Sequence, residues 1–424
     1  MRRFLLFALI FYCFTFIIIS REIGGFPVGV GVEAFIIILL LAVIIKTPKD
    51  EWKSINNSFV YALLIWFVLS ILEVVNPGSN TLAWVAEIRT TAFYPLMLTV
   101  IGFLIFKSNR SLDVFIILVL VLSSLAAING IKQLYIGMTA GERQFLEANL
   151  STHMLWGRLR VFSFYTGAGQ FGSSQAHIAL MALILGLGPF KKWTKILLLL
   201  CAALNFYGML ISGTRGALFA IVPGVFLAIL LSKNYKVVLI GGFFAVMALG
   251  ILKFTHLGDG NYQIYRFRSA LNPEDASLNV RYNTQLRLKE YMSTRPFGTG
   301  LGTLGYNGNI YNSDKYISKF QPDSYFVKVW AMYGVVGLTV WVCIMTFILG
   351  KCCGIVWRIE DTKLKTKMIA LTAGFAGILI CSYGNEIINN MPTSIVIYLS
   401  WVFIFISPQL EKEIADKQAK PIIV

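Results

Sequence analysis

The stretch KILLLLCAALNFYGMLISGTRGALFAIVPGVFLAILLS, residues 195–232, holds two apolar runs, 195–212 and 216–232, parted only by a turn around Gly213-Thr214-Arg215. At 1.5 Å per helical residue each run reaches most of the way across a hydrocarbon layer about 30 Å thick. The pattern recurs on both sides. Further runs fall at 4–20, 30–45, 58–75, 90–106, 111–130 and 169–188, and then at 236–253, 323–349, 367–384 and 393–409. Each is continuous rather than alternating, which excludes an outer-membrane barrel and predicts helices. The first run follows Arg2 and Arg3 as a signal peptide would, but no small-residue cleavage site follows at 21–26, so it reads as a helix. Composition agrees. Of 424 residues, 57% are apolar and 14% charged, against about 25% charged in a soluble protein, so the chain could not cover its surface in water. The fold class expected is all-α, a polytopic transmembrane bundle of about twelve spans.

Lysine and arginine set the orientation. With the N-terminus in the cytoplasm, 20 of the 37 basic residues fall in short internal loops and tails. The short external turns hold only Arg21, Arg89 and Arg215, which predicts both termini in the cytoplasm. The remaining basic residues belong to two long external segments, about 131–168 and 254–322. The expected organisation is therefore nine helices over 1–253, an external loop with an amphipathic helix over 254–322, three helices over 323–409 and a cytoplasmic tail over 410–424. The net charge of +16 follows mostly from internal anchoring residues and gives no support to nucleic-acid binding. The external cations not spent on solvated surface are free to meet an anion.

Six cysteines fall in spans or at internal ends, so no disulfide framework is expected, and His153, His177 and His256 have no companions at ligand spacing, so no metal site is expected either. Pro296 to Gly305 contains GxGxxG at Gly300, Gly302 and Gly305, but no apolar strand precedes it. It reads as a tight turn with close backbone approach, whose amides could still touch a phosphate. Upstream, Asn272-Pro273-Glu274-Asp275 is a helix start, predicting a helix from Ser277 to Thr294 lying at the membrane surface. On it Arg281 and Arg287 are candidates for phosphate contact or plain solvated residues. Arg215 is more telling, because an arginine in so short a turn between spans is expensive unless paired or functional, and its planar fork suits phosphate oxygens. Snorkelling is the alternative.

The order of Ser212-Gly213-Thr214-Arg215-Gly216-Ala217, Arg281, Pro296 to Gly302, Asp323-Ser324-Tyr325 and Tyr333 to Leu338 resembles the O-antigen ligase and polymerase superfamily. Arg160 to Phe164 with Gly167, Gly169 and Gly172 is similar to that family's segment entering the middle bundle, so the resemblance covers roughly 158–338. It implies a metal-independent, cofactor-free glycosyltransferase in the bacterial inner membrane, working at the periplasmic face. The donor implied is a glycan on undecaprenyl diphosphate; the acceptor is another glycan, lipid A core or a protein. Carried onto this chain, Arg215 and Arg281 would hold the departing diphosphate, where preorganised guanidinium groups meet developing charge. Arg158, Arg160, Arg287, Gly300 and Gly302 are the further substrate-binding candidates. Many members have histidine then asparagine where this chain has Asp323-Ser324, so Asp323 becomes the candidate base, or else Asp323 and Ser324 cap the tenth span. His153 and His256 are outsiders for that role. The missing histidine favours a polymerase of O-antigen or another surface polysaccharide over a ligase. A transporter is the third reading, opposed by the lack of an internal repeat and by charges gathered at one face.

Overall fold

The computed structural model describes residues 1–24, 28–233 and 276–419, with a few isolated positions between 247 and 268. The helices are α1 (Arg2–Ile23), α2 (Val30–Lys46), α3 (Ser58–Leu72), α4 (Thr81–Ile88), α5 (Tyr94–Ile105), α6 (Asn109–Tyr135), α7 (Ala140–Ala148), α8 (Leu150–His153), α9 (Ala168–Leu187), α10 (Lys192–Ile211) and α11 (Leu218–Leu231). They continue with α12 (Ala276–Met292), α13 (Gly305–Tyr311), α14 (Tyr325–Arg358), α15 (Thr362–Cys381) and α16 (Thr393–Ala419). One antiparallel hairpin pairs β1 (Met154–Leu155) with β2 (Arg158–Leu159).

Among the described residues nine helical segments are long and apolar enough to cross a membrane. Of the twelve expected spans, 30–45 and 216–232 appear as helices of 17 and 14 residues, and 236–253 lies outside the described residues. The α9 and α16 segments are enclosed most completely, α9 held between α10, α11 and α15. Small residues make the approach possible: a Cβ on Gly377 of α15 would stand 2.1 Å from the Ala220 carbonyl oxygen of α11.

Two spans differ from expectation for a visible reason. The segment expected to begin at residue 90 begins at Thr81, so Glu87 and Arg89 lie within the span instead of in a turn. A π turn over Arg89–Phe93 joins α4 to α5. Pro95 has no N–H to give the Thr91 carbonyl one turn back, and the Trp66 indole donates to that carbonyl instead, at 3.0 Å. The long α14 is broken at Gly334, whose φ of 70° departs from helical geometry. The Pro296–Gly305 turn takes up the backbone groups freed there. Thr299 and Gly300 donate N–H to the Ala331 and Met332 carbonyls at 3.0 Å, and Val336 donates to the Pro296 carbonyl at 3.2 Å. A side chain at Gly334 would collide with that carbonyl, at 1.9 Å.

The helix ends separate into two faces. At one, Arg2 bonds Thr47, Lys107 pairs with Glu51 and Asn109 bonds Glu413, so Met1 and the last turns of α16 share an end. At the other, Arg21 reaches the 163–165 loop, Lys315 donates to the Gly78 carbonyl and Tyr325 N–H bonds the Ser382 carbonyl. Among the described residues, the long connections 136–167, 293–324 and 382–392 gather at this second end.

Candidate functional site

The turn carrying Arg215 is fixed from beneath. Where α10 stops, the Ser212 hydroxyl donates to the Met209 carbonyl at 2.6 Å and accepts the Thr214 N–H at 3.1 Å. Thr214 then donates its hydroxyl to the Ala168 carbonyl at 2.8 Å, tying the turn to the first residue of α9. Contact is so close that a Cβ on Gly172 would lie 2.1 Å from the Ser212 hydroxyl oxygen. Arg215 follows in a 3-10 turn, Arg215–Ala217, half-exposed at the crowded end.

Arg160 comes to the same turn from a separate segment. Its guanidinium donates to the Thr152 carbonyl at 3.0 Å, the Ser212 carbonyl at 3.4 Å and the Thr214 hydroxyl at 3.4 Å. Two of the arginines singled out in the sequence are thus brought to one place, while Arg158 stands exposed on the neighbouring hairpin. The segment beneath them is heavily braced. Arg21 donates to the Ser163 and Tyr165 carbonyls and lies over the rings of Phe145 and Phe162, 4.0 and 4.7 Å from their centroids. His153 packs between the same two rings, and its Nε2 accepts the Ala168 N–H at 3.4 Å, closing the start of α9. Burial, helped by the charges of Arg160 and Arg21, pushes His153 down to about 4 against a weaker raising bond from Asn149. For Glu142 burial acts upward, but the combined bonds from Lys132, the Thr139 N–H, Gln133 and Asn129 hold the carboxyl at about 2. His153 is therefore a neutral, structural acceptor near pH 7.

The loop between α15 and α16, residues 382–392, completes the arrangement and was not marked by sequence reasoning. Asn385 donates to the Ser173 hydroxyl at 3.3 Å, and a Cβ on Gly216 would stand 2.3 Å from its Nδ2, so it touches the residue after Arg215. Next to it, Glu386 accepts from Lys328 Nζ at 2.6 Å, and the same ammonium meets Glu87 at 2.7 Å. Asn307 and Thr91 also donate to Glu87. This buried cluster ties α4, α14 and the loop together five residues beyond Asp323. The available signal was Glu87 and Lys328 at span depth, where ionisable groups need partners, together with Asn385, Glu386, Asn389 and Asn390 between two apolar runs.

Asp323 is exposed at the start of α14, and it is Ser324 that caps the helix, its hydroxyl accepting the Val327 N–H at 3.3 Å. Of the two residues that the cap reading joined, Ser324 is the N-cap residue. The glycine turn adjoins this point, a Cβ on Gly305 falling 3.5 Å from Pro322. Gly300 and Gly302 have φ of 91° and 71° and press on Ser79 and Ala83. Because the Gly300 N–H is given to Met332, that amide is occupied within the protein. Arg281 and Arg287 both lie on α12, which buries Leu288 and Met292 and leaves Arg287 exposed. The helix start expected at Asn272–Asp275 lies outside the described residues.

Residues 196–342 match the family model described as O-antigen ligase, which supports the resemblance to the O-antigen ligase and polymerase superfamily. The match takes in α10, the Arg215 turn, α11, α12, the glycine turn and α14 past its break. It leaves out Arg160 and the 382–392 loop. No curated protein matches the chain. Such a family indicates a multi-pass membrane protein with glycosyltransferase-type activity on lipid-linked glycan and acceptor substrates.

Proposed function

We propose, with that family as the premise, that this chain polymerises O-antigen or another surface polysaccharide at the periplasmic face of the inner membrane, using undecaprenyl-diphosphate-linked glycan as donor. The observation that carries the reading is the meeting of Arg160 with the Ser212–Thr214 turn that presents Arg215. Cations from two segments converge where the loops gather, at the end opposite both described termini. The lysine and arginine distribution assigns that end to the outside.

In the reaction, an acceptor hydroxyl oxygen attacks the anomeric carbon of the donor sugar and the bond from that carbon to the phosphate oxygen breaks. The electron pair leaves with the diphosphate, so negative charge grows on its oxygens. Arg215 and Arg281 meet that charge, with Arg160 fixing the turn and adding positive field, in a setting that costs little reorganisation. The hydroxyl proton passes to Asp323, which is exposed at the head of α14. No step calls on a metal.

Arg215→Lys keeps the charge and loses the fork; with Arg281→Ala it is expected to lower transfer about a hundredfold or more in purified membranes supplied with lipid-linked donor. Normal chain-length distributions from both variants at matched protein levels would defeat the proposal. Growth of a ladder on the lipid carrier identifies the polymerase, whereas glycan appearing on lipid A core or protein identifies the ligase of the same chemistry.

A further inference from the structure

We infer that the cavity enclosed by α1, α2, the π turn and the 389–391 loop binds a neutral, hydroxyl-rich sugar ring and serves as the acceptor-glycan site. It has a volume of about 340 Å³, within the usual span of small-molecule sites. Phe16, Thr90, Thr166, Asn390 and Met391 line it, along with Glu33 and Arg89. Glu33 Oε1 accepts from Arg89 at 2.9 Å and from the Tyr94 hydroxyl. Its other oxygen, Oε2, is buried and has no hydrogen-bond partner among the described residues. A carboxylate only accepts, so the group that completes this site must donate. The Arg89 charge already balances Glu33, which removes the attraction for an ammonium or a metal cation and equally for a second anion. A hydroxyl satisfies both conditions. Apolar walls at Phe16 and Met391, with amide and hydroxyl groups at Asn390, Thr90 and Thr166, suit the mixed C–H and O–H faces of a sugar.

The position connects this cavity to the arginines. Thr166 lines it, and two residues on, the Ala168 carbonyl receives the Thr214 hydroxyl beside Arg215. Gln170 braces the junction, accepting the Thr166 N–H at 3.0 Å and donating to the Met391 carbonyl at 2.7 Å. The 389–391 wall belongs to the loop whose Asn385 touches Gly216. That the bound sugar is an acceptor rests on the glycosyl-transfer reading; that a sugar binds does not.

The test uses the full chain in lipid nanodiscs and a hexyl β-glucoside bearing a diazirine, with crosslinks mapped by mass spectrometry. Labelling is expected at residues 30–33, 89–94 and 389–391, suppressed by excess hexyl β-glucoside and not by hexanol or by sodium chloride. Glu33→Leu removes the acceptor oxygens and is expected to reduce labelling at least tenfold, while Arg215→Lys keeps it. Label spread evenly over lipid-facing helices, competition by hexanol, suppression by sodium or full labelling of Glu33→Leu would each overturn the proposal. Should that variant misfold, the wild-type map and its competition decide alone. Arg215-dependent transfer without labelling here defeats the cavity proposal only; labelling without any glycan transfer defeats the enzymatic reading and leaves the sugar site.

Discussion

The two ends of the bundle both carry ion pairs, but they carry them differently. Where both described termini lie, Lys53 meets Asp50 at 3.3 Å with side chains 84% and 92% exposed, and Lys417 meets Glu413 one turn away on α16. At the opposite end, Lys328 is 10% exposed between Glu87 at 2% and Glu386 at 25%. Water screens the first kind, and such pairs are worth about 0–1 kcal/mol. The second kind has already lost its water, so removing one member strands a charge. Charge at one end stays at the surface, paired within or between neighbouring segments. At the other it fixes loops from distant parts of the sequence around one turn.

The most severe way to probe this contrast is Lys328→Met, which leaves two buried carboxylates facing each other. A loss of about 3–5 kcal/mol is expected, read as a large drop in thermal midpoint in detergent, together with faster proteolysis of the 382–392 loop. A midpoint near wild type would mean that the cluster is as well solvated as the opposite end.

Acid should weaken the crowded end in two steps. His153 titrates near 6.5 when unfolded and near 4 when folded, so between those values the unfolded chain binds more protons and stability falls as pH falls, by about 3 kcal/mol at most. Glu142 is depressed from 4.5 to about 2, so its contribution is present above 4.5 and is lost as pH drops through that lower range. Hydrogen-exchange protection over residues 139–168, taken relative to the intrinsic exchange rate at each pH, should fall from pH 6.5 downward, and His153→Phe should remove the upper step. Protection factors independent of pH down to 4 would contradict the buried, neutral placement of His153.

Smaller effects sharpen the comparison. Ser324→Ala should cost about 1 kcal/mol through the lost cap, whereas Asp323→Asn should leave the thermal midpoint unchanged and reduce transfer if Asp323 takes the proton. Equal destabilisation by both would return the cap to the pair. Lys53→Ala, at the exposed end, is expected to shift stability by no more than about 0.5 kcal/mol and to become indistinguishable from wild type in high salt.

The sequence was most legible where the solvent imposes the rule. Lipid demands uninterrupted apolar runs, so α6, α9, α10 and α15 fall within about five residues of their expected spans, whereas α16 starts at the expected residue and runs on to Ala419, through most of the stretch expected as a tail. The α4–α5 span was misplaced because Glu87 and Arg89 look like a turn until their partners are known. Those partners, Lys328 and Glu33, lie far away in the chain, and local pattern holds no record of them. The glycine turn was legible as a turn with close backbone approach; its role in closing the break at Gly334 was not, since no side chain takes part.

By itself, then, the sequence determined that this chain is a helical membrane protein, and gave Arg215, Arg281 and Asp323 as the residues to question. Hydrophobic runs and a charge in a short turn carry their meaning locally, because burial in lipid is decided residue by residue. The tertiary structure alone decided that Arg160 meets the Arg215 turn, that Asn385 and Glu386 belong beside it and that Ser324 takes the cap. Each of these is a hydrogen bond or ion pair whose partner is chosen by how the helices pack, and packing of apolar surfaces is too unspecific in sequence to announce its neighbours in advance.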